Sequence, residues 1–573
     1  MLLLDSRRLT GPNLLWDHEG AVLDVSLAPE KADAAIAAWQ REARRLLDAV
    51  GWTGEETAVR RFAGGASLAL SAPIDALYAA TEINEEAWAA ATVSPNASQA
   101  ADSVDHLRAA IERERNPALL ALRAAAEARS VAFLSDDEMA SVGLGIGSLA
   151  WPVNALPRPD EVPWDQVRDI PVVLVTGTNG KTTTVRLLAA MVRSAGLTPG
   201  TTSTDRIEVG GEILDRGDFS GPEGARRVLR DRRVELAILE TARGGILRRG
   251  LAVRRADVAL VTNVAADHLG EQGIGDLESL ADTKMVVTRV VGADGHAVLN
   301  ADDPLLIARA GLRTDQIAGT VVWFSLDPER SPVHQRLGAE ETAWVLRGGE
   351  LERWSGGWKQ RVDTVDDIPI AFSGAARHNV ANALAALAAG SSLLLPDEAL
   401  LRGLRHIRGT PEDNPGRGNL IELDNVKILL DYAHNPHGIA AVLGIAANLT
   451  ARRRLILLGQ AGDRDDASLR DLARAAWRLS PDRVVIKELP EMLRGRPLGE
   501  VPAILEDEIR KLGAGDEVIG RATTEIEAVR EALAWARKGD LLLLLVHTQR
   551  EEVLALLGRL RESGWEAGQP VGR

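Results

Sequence analysis

The sequence predicts an α/β protein made of three domains. Its 573 residues are too many for one hydrophobic core. From residue 170 to about 410, short apolar runs alternate with helical or loop segments, which is typical of a mainly parallel sheet covered on both faces. A second alternation follows and predicts a separate Rossmann-like domain. The predicted organisation is an N-terminal domain at 1–150, a linker at 151–170, a central domain at 171–410 and a C-terminal domain at 411–573.

The predicted strands are short and rich in Val, Leu and Ile. They lie at 172–175, 236–239, 258–261 and 297–300 in the central domain, and at 427–430, 455–458, 483–486 and 541–546 in the C-terminal domain. The N-terminal domain combines strand-like runs at 21–25 and 67–70 with helical patterns at 32–50 and 105–129, which predicts an α/β or α+β fold. Five prolines from Pro152 to Pro171 indicate the linker.

Composition excludes several classes of function. The net charge of -15 argues against binding nucleic acid or an anionic membrane as the main role. The chain has no cysteine, which excludes disulfides, a thiolate nucleophile and cysteine-ligated metals. The apolar run at the N-terminus is too short for a signal peptide, and the run 541–546 is too short to cross a bilayer. We therefore expect a cytoplasmic enzyme.

Residues 172–186, VVLVTGTNGKTTTVR, have the pattern of a nucleotide-phosphate site. A buried strand, a Gly-containing turn and a helix N-terminus follow one another, so that backbone N–H groups and the positive helix end can hold phosphate oxygens. Val175 stands where the common P-loop has its first glycine. We expect Lys181 to reach the β- and γ-phosphates of ATP and the Thr182 hydroxyl to hold Mg²⁺. The predicted cradle comprises Gly177, Thr178, Asn179, Gly180, Lys181, Thr182 and Thr183.

Two predicted strand ends add candidate metal ligands. Glu240 follows the strand at 236–239, and His268 lies in the segment after the strand at 258–261. In open α/β sheets these ends meet at the ligand crevice. A carboxylate, an imidazole and the Thr182 hydroxyl can complete a magnesium shell. The alternatives are a surface carboxylate for Glu240 and a core or capping histidine for His268.

Five further residues of the central domain are candidates for binding or catalysis. Lys284 lies on a predicted helix, where a solvated lysine is the alternative. Asn300 and Asp302 follow a strand and either turn the chain or hydrogen-bond a ribose or base. Asn379 and Asn382 are three residues apart on a predicted helix and share a face. They could read a purine edge or cap the helix.

The C-terminal domain contributes two candidates. Arg417 could clamp a phosphate, because a guanidinium supplied across a cleft stabilises charge in phosphoryl transfer. Asp431 directly follows the strand at 427–430. A salt-bridged loop residue is an equally good interpretation of either. The glycine-rich run at 141–147 lacks a strand-turn-helix setting, which favours a plain loop.

Together these motifs resemble the Mur ligase family, whose members use ATP to join an amino acid to a carboxylate. The matching residues, in order, are 177–182, Glu240, Asn263, 267–268, Lys284, 300–303, 378–379, Asn382, Arg417 and 431–436. The resemblance implies that Lys181 contacts phosphate and that the metal ligands are Thr182, Glu240 and His268. It also implies a nucleotide site near Asn300, Asn379 and Asn382. Lys284 matches the lysine that family members carbamylate.

Within that family the chain is similar to the cyanophycin synthetase branch. The run ETARGGILRRG at 240–250 and the run RRLTGPN at 7–13 carry this similarity. The branch has an ATP-grasp module between its N-terminal and Mur-like parts, and here only a short segment separates them. The enzymes of that branch form a polymer. The resemblance therefore implies that this chain does not form such a polymer unaided and that a separate ATP-grasp ligase is a candidate partner.

The predicted function is an ATP-dependent amide or isopeptide ligase that forms an acyl phosphate and releases ADP and phosphate. Its catalytic residues are predicted to be Lys181, Glu240, His268, Lys284, Arg417 and Asp431. The amine is arginine, another basic amino acid or a different amine, and the carboxylate is aspartyl or glutamyl. We expect amino-acid or peptide substrates and a homo-oligomer. The alternatives are a P-loop small-molecule kinase and a nucleotide-binding partner subunit of an ATP-grasp ligase.

Overall fold

The computed structural model describes residues 2–92, 97–312 and 317–572. Over these ranges the strands form four sheets, of four, three, eleven and six strands. The two largest consist mainly of parallel pairs with helices packed against them, so the predicted α/β class is confirmed. None of the helices in these ranges is long and apolar enough to cross a membrane.

The N-terminal region begins with an antiparallel sheet in the order β1-β2-β4-β3, against which two helices pack. Its elements are β1 (Leu2–Leu9), β2 (Gly20–Ser26), α1 (Pro29–Ala49), β3 (Thr57–Phe62), β4 (Gly65–Ser71) and α2 (Leu77–Thr92). The fully buried indole of Trp39 on α1 donates to Asn84 Oδ1 on α2 at 2.9 Å. This bond between buried polar groups fixes the two helices against each other.

The helical pattern at 105–129 is divided between two helices. They are α3 (Ala97–Glu114) and α4 (Pro117–Glu127). The Asn116 side chain accepts the N–H of Leu119 at 3.1 Å and caps α4. Pro117 has no N–H with which to continue the preceding helix, and its fixed φ suits the first helical position.

Residues 133–170 connect the first sheet to the central one. They contain the three-stranded sheet β5 (Phe133–Ser135), β6 (Met139–Val142) and β7 (Leu149–Pro152). The glycine-rich run at 141–147 includes the loop between β6 and β7, as the plain-loop interpretation predicts. Val162 and Val167 are buried in a small apolar cluster with residues of α4 and β6, so the proline-rich stretch is packed against the protein.

The central sheet has the order β11-β10-β9-β12-β8-β13-β14-β15-β16-β17-β18. Its strands are β8 (Val172–Thr176), β9 (Pro199–Thr202), β10 (Arg206–Val209), β11 (Glu212–Arg216), β12 (Leu236–Glu240), β13 (Ala256–Val261), β14 (Val291–Asn300), β15 (Thr320–Ser325), β16 (Thr342–Arg347), β17 (Glu350–Ser355) and β18 (Trp358–Thr364). The four predicted strands lie within β8, β12, β13 and β14 and are neighbours in the middle of the sheet.

Helices cover both faces of the central sheet. They are α5 (Lys181–Ser194), α6 (Pro222–Arg230), α7 (Arg243–Arg248), α8 (Leu277–Met285), α9 (Pro304–Leu312), α10 (Arg377–Ser392) and α11 (Asp397–His406). Alternate residues of β8 belong to different apolar clusters, with Val173 facing α5 and α10 and Leu174 facing the opposite layer. This burial of both faces explains why β8 is apolar throughout.

The C-terminal sheet has the order β19-β20-β24-β21-β22-β23. Its elements are β19 (Asn419–Leu423), β20 (Val426–Asp431), α12 (Pro436–Asn448), β21 (Arg454–Leu458), α13 (Asp466–Trp477), β22 (Arg483–Lys487), α14 (Glu500–Lys511), β23 (Ile519–Ala522), α15 (Glu525–Trp535), β24 (Leu541–Leu545) and α16 (Arg550–Ser563). The predicted strands correspond to β20, β21, β22 and β24. Lys487, fully buried, pairs with Glu525 and donates to the Leu545 carbonyl, which joins the ends of β22 and β24.

Candidate functional site

One cleft of about 1960 Å³ collects all the residues predicted to act on substrate or nucleotide. Its walls include the C-terminal ends of β8, β12, β13 and β14, the segment after β20, and residues of the N-terminal region. Carboxyl ends of parallel strands meet at the same edge of a sheet, where their loops form the usual ligand crevice. The cleft is therefore the candidate active site.

The loop between β8 and α5 is held in shape by glycine geometry and by Asn263. Gly177 has φ +142°, and a Cβ there would lie 1.8 Å from Thr262 Oγ1. Gly180 has φ +89° and precedes the first residue of α5. Asn263 accepts from Thr178 N through its carbonyl at 2.9 Å and from Asn179 N through Oδ1 at 3.0 Å. These contacts hold the loop at the positive end of α5, as a phosphate cradle requires.

The ammonium group of Lys181 lies over this loop. Its Nζ donates to the carbonyls of Gly177 at 3.1 Å and Thr178 at 3.0 Å. A cation held by carbonyl groups of the loop, at the N-terminus of a helix, favours an anionic ligand at the same place. The loop, the lysine and the helix end are thus arranged as the sequence predicts for phosphate binding.

Glu240 and Thr182, two of the predicted metal ligands, are joined by a hydrogen bond. The Thr182 hydroxyl donates to Glu240 Oε2 at 2.8 Å, and the Thr204 hydroxyl donates to Oε1 at 2.7 Å. Glu240 is 1% exposed. Two hydroxyls and a carboxylate beside the phosphate loop are oxygen donors of the kind that Mg²⁺ prefers. The residues present therefore fit a divalent cation.

His268 makes no hydrogen bond to Thr182 or Glu240. Its Nδ1 lies 2.8 Å from Glu271 Oε1, and its Nε2 lies 2.9 Å from Arg464 Nη2, a residue of the C-terminal domain. Since a guanidinium only donates, Nε2 accepts and Nδ1 carries the proton. His268, Glu271 and Asp463 also place one ligand atom each within 4.8 Å of one another. The structure thus separates His268 from the Thr182–Glu240 pair and sets it among other donors.

Lys284 also lines the cleft and is 3% exposed. Burial is the main cause that lowers the pKa of Lys284 well below its usual value, and the positive charge of Lys181 lowers this pKa further. Among the described residues, no carboxylate forms an ion pair with Lys284. Burial therefore favours the neutral amine at Lys284, in contrast to the solvated lysine considered from the sequence.

The four amide and carboxylate residues predicted near the nucleotide all line the cleft. Asn300 Nδ2 donates to the Thr262 carbonyl at 3.0 Å, whereas Asp302 accepts from Ser325 Oγ at 2.5 Å and from Leu326 N at 2.6 Å. These bonds fix both side chains to neighbouring strand ends. The contacts of Asp302 tie the segment after β14 to the end of β15.

Asn379 and Asn382 share one face of α10, as their spacing predicts. Asn382 Nδ2 donates to Asn379 Oδ1 at 3.3 Å, and Asn379 Nδ2 donates to the Ile370 carbonyl at 2.9 Å. Asn382 Oδ1 lies against Gly180, where a Cβ on the glycine would approach it to 2.2 Å. The close approach places α10 against the phosphate loop and explains the need for glycine at 180.

Arg417 and Asp431 reach the cleft from the C-terminal domain. Asp431 Oδ2 accepts from Gly418 N and Oδ1 accepts from Ala433 N, each at 2.7 Å. Burial raises the pKa of Asp431 to about 6, despite these bonds and the nearby guanidinium of Arg417. Arg417 lies 5.2 Å from the ring centroid of Tyr432. The two side chains therefore sit within one turn-and-strand unit of the C-terminal domain.

Asp205, which follows β9, joins the central and C-terminal domains. It pairs with Arg186 on α5 at 2.6 Å, with Arg550 at the start of α16 at 2.8 Å, and with Arg417 at 3.8 Å. Burial opposes ionisation of Asp205, but the three guanidinium groups hold its pKa well below the usual range. A second link runs from Asn179 Nδ2 to His437 Nδ1 at 2.9 Å. The cleft is thus closed by contacts at the phosphate loop itself.

Sequence reasoning missed Thr204 and Asp205. Thr204 and Asp205 follow β9, which reads Pro-Gly-Thr-Thr and lacks the apolar run that marks the other central strands. Arg464 lies in the segment after β21, one of the strand ends at which the sequence places polar candidate residues. The partners of Asp205 are distant in sequence, so only the fold brings them together.

Comparison with known proteins covers the central and C-terminal parts. Residues 175–390 match the family model described as Mur ligase middle domain, and residues 416–545 match the model described as Mur ligase, glutamate ligase domain. The ligase for UDP-N-acetylmuramoyl-L-alanyl-D-glutamate and 2,6-diaminopimelate from Geobacter metallireducens is 31% identical over 401 residues, which are 65% of this chain and 73% of that protein.

The cyanophycin synthetase of Crocosphaera subtropica is 39% identical over 398 residues, which are 69% of this chain and 44% of that protein. The chain spans less than half the length of this relative. Among solved structures, a bifunctional folylpolyglutamate synthase/dihydrofolate synthase with Mn, AMPPNP and L-glutamate bound has a TM-score of 0.49 at 20% identity. The similarity covers 68% of this chain and 89% of that one.

Replacing Asp205 by Asn should open the two domains. The substitution leaves three guanidinium groups close together without their counter-charge, and removing one partner from a buried ion cluster costs about 3 kcal/mol or more. We expect a larger radius of gyration in small-angle X-ray scattering and a lower midpoint of thermal unfolding. Asp215→Asn is the control, because Asp215 pairs with Arg227 on an exposed surface and such pairs contribute under about 1 kcal/mol. Superimposable scattering curves and equal midpoints for D205N and wild type would contradict the linking role.

Proposed function

The chain belongs to the Mur ligase family, and we propose that it is an ATP-dependent ligase that activates a carboxylate as an acyl phosphate and joins it to an amine. The observation that carries the proposal is the arrangement of Lys181 and the Thr182–Glu240 pair beside one glycine-bearing loop, in a cleft that Asp431 enters from the second domain. A kinase would need only the phosphate loop, Lys181 and the Thr182–Glu240 pair, and not the residue that enters from the second domain.

Residues of the cleft suit ATP and Mg²⁺. The cradle at Gly177 and Gly180 leaves no room for a Cβ and brings backbone N–H groups to the helix end, as triphosphate binding requires. We assign Thr182 and Glu240 as the groups that would hold Mg²⁺, with His268 as a further candidate after Arg464 releases it. When bound, the cation would neutralise negative charge on the phosphate oxygens. Asn379 and Asn382 are proposed to border the nucleotide.

In the first step an oxygen of the acceptor carboxylate forms a bond to the γ-phosphorus of ATP. The bond from that phosphorus to the bridging oxygen breaks, and ADP leaves with the electron pair. The Lys181 ammonium stabilises the charge that develops on the phosphoryl oxygens. This activation is needed because a carboxylate is a poor electrophile, whereas an acyl phosphate carries a good leaving group.

In the second step the amine nitrogen bonds to the carbonyl carbon, and phosphate leaves from a tetrahedral intermediate. The amine must lose a proton, and we assign the carboxylate of Asp431 to accept it. A base with a pKa of about 6 is ionised at neutral pH and still basic enough for proton transfer. The closed contacts of Asp205 and Asn179 exclude water that would hydrolyse the acyl phosphate.

Lys181→Met should reduce turnover at least about 100-fold, because removing one group that stabilises developing charge costs this much. The measurement is release of ADP and phosphate in the presence of ATP, an amino-acid or peptide acceptor and an amine, with the amide identified by mass spectrometry. Lys31→Gln, on the exposed surface of α1, is the matched control for loss of a lysine charge and should turn over normally. Release of AMP and pyrophosphate, or full activity of K181M, would refute the mechanism.

Activity should fall as the pH is lowered through about 6. Below that pH the carboxyl of Asp431 is protonated and cannot accept the amine proton, so kcat should drop about tenfold per pH unit. The pH profile of kcat measures this. Asp431→Asn should lower kcat and abolish the break, while Asp424→Asn, which loses a half-buried carboxylate of the same domain that pairs with Lys538, should keep it. A wild-type profile that is flat between pH 5 and 7 would contradict the assignment.

We propose that Lys284 is carbamylated, as the family resemblance implies. The neutral amine attacks CO₂, a C–N bond forms, one proton is released to water and a carboxylate results. Burial and the charge of Lys181 lower the pKa of Lys284 and so favour the neutral amine that this reaction requires. Protein equilibrated with ¹³C-bicarbonate should show a carbamate carbon signal in its NMR spectrum that Lys284→Gln lacks and Lys31→Gln retains. Absence of the signal from wild type would refute the modification.

The substrates remain proposals. The acceptor carboxylate is aspartyl or glutamyl, and the amine is arginine, another basic amino acid or a different amine. A homo-oligomer and an ATP-grasp partner ligase stay predictions. Sedimentation of the purified protein and its co-purification with an ATP-grasp protein from the source cells would test the two in turn.

A further inference from the structure

The segment that carries His268 is in contact with the N-terminal domain. It joins β13 to α8, and we call residues 267–273 of it the histidine loop. Asp267, His268 and Glu271 of this loop line the cleft. Arg60 on β3, which contacts the loop, is not one of the described residues that line the cleft. The N-terminal domain therefore reaches the histidine loop at a point outside the cleft.

Arg60 and Phe62 of β3 hold the end of the histidine loop. Arg60 Nη1 donates to the Gly273 carbonyl and Nη2 donates to the Gln272 carbonyl, each at 2.9 Å. The ring of Phe62 packs against Gly273, where a Cβ would lie 2.4 Å from the ring. A guanidinium fixes direction as well as distance, because its donors form a planar fork. The two side chains together fix the backbone at 272–273.

The backbone of the histidine loop needs contacts of this kind. His268 and Gln272 each have φ +50°, in the left-handed region that residues with side chains rarely adopt. Such conformations persist only where the surrounding structure imposes them. Gln272 is one of the two residues whose carbonyls Arg60 binds. The arginine therefore acts directly at one of the two unusual positions of the loop that carries His268.

A buried carboxylate on β2, Asp24, orients Arg60 together with a second arginine. Asp24 is 3% exposed, and its Oδ1 accepts from Ser67 Oγ at 2.6 Å. Ser67 Oγ in turn accepts from Arg60 Nη2 at 3.0 Å. Asp24 Oδ2 accepts from Arg7 Nη1 at 2.7 Å, and Arg7 Nε donates to the Leu247 carbonyl of α7 at 3.1 Å. Asp24 thus links the N-terminal sheet to both α7 and the histidine loop.

The histidine loop and α7 are also joined to each other. Arg243, the first residue of α7, donates from Nη1 to the His268 carbonyl at 2.5 Å and pairs through Nη2 with Glu271. α7 begins three residues after Glu240, the carboxylate beside the phosphate loop. The N-terminal domain therefore holds both of the elements that present Glu240 and His268 to the cleft.

We propose that Arg60 is a positioning residue for the histidine loop, through which the N-terminal domain fixes the cation-binding end of the cleft. The inference rests on the proposed function, in which His268 is a further candidate ligand of the divalent cation. An imidazole can serve a cation only if the backbone that carries it is held at the cleft wall. Arg60 holds that backbone without lining the cleft itself, so its contribution differs from that of a residue that binds substrate.

Hydrogen exchange of the whole protein without ligands tests the positioning role. The loop amides of Gly270 and Ile274 donate to backbone carbonyls at 2.7 and 3.0 Å. Arg60→Gln should raise their exchange rates at least about tenfold, since bonds from a charged donor to the loop are lost. Phe62→Ala keeps the guanidinium and should raise exchange in the same loop, and it replaces R60Q if that variant does not fold.

Arg61→Gln is the matched control for the exchange measurement. Arg61 is the next residue of β3, is exposed, and pairs with Asp33 on the surface at 2.6 Å. Exchange of the histidine loop in R61Q should equal that of wild type. Wild-type exchange of the loop in R60Q, or in F62A where R60Q does not fold, would overturn the proposal.

Binding of Mn²⁺ in the presence of AMPPNP, measured by electron paramagnetic resonance, tests the consequence for the cation. R60Q should weaken Mn²⁺ binding at least about tenfold, and R60Q/H268Q should bind Mn²⁺ no more weakly than H268Q, because Arg60 acts only through the loop. Additive losses in the double variant, or wild-type Mn²⁺ affinity in R60Q when H268Q is weakened, would overturn the proposal. If H268Q binds Mn²⁺ normally while R60Q speeds exchange, the cation role of His268 fails and the positioning of the loop stands.

Discussion

The ion cluster around Asp205 is the interaction on which the geometry of the cleft depends. One carboxylate neutralises Arg186 of the central domain together with Arg417 and Arg550 of the C-terminal domain. Arg186 lies on α5, the helix that begins at Lys181, so the helix that carries the phosphate loop is also the one joined to the second domain. The attraction is strong because the groups are largely buried, where screening by solvent is weak. The same ion cluster thus both closes the cleft and fixes the position of the helix that carries the phosphate loop.

The parts of the fold that the sequence predicts are those in which local pattern and burial agree. β8, β12 and the C-terminal parts of β13 and β14 are buried on both faces and contain continuous apolar runs, so they could be found without a structure. β9 and β18 could not. β9 is four residues of Pro, Gly and Thr, and β18 reads Trp-Lys-Gln-Arg-Val-Asp-Thr with mostly exposed side chains. Their strand conformation comes from pairing with neighbours, which is a tertiary effect.

The same distinction applies to the site. Thr182 and Glu240 follow from the rule that strand ends meet at one edge, and they are indeed hydrogen-bonded. His268 obeys the rule in position, yet its contact is with Arg464, because the second domain approaches from a direction that strand order does not encode. The low pKa of Lys284 was equally invisible, since it arises from burial and from the proximity of Lys181. Electrostatic environments are properties of the assembled fold.

The order of the central sheet bears on how copies of this protein could meet. Its outermost strands, β11 and β18, each leave one side of their backbone without a neighbour among the described strands. Both carry charged side chains at their exposed positions, Glu212 and Arg216 on β11 and Lys359 and Arg361 on β18. Charged edge strands resist the addition of a strand from another chain, because the charges would have to be desolvated. These charges therefore oppose self-association that extends the central sheet, whereas the exposed Ile213 and Leu214 on β11 and Trp358 on β18 offer apolar side-chain surface at the same two edges.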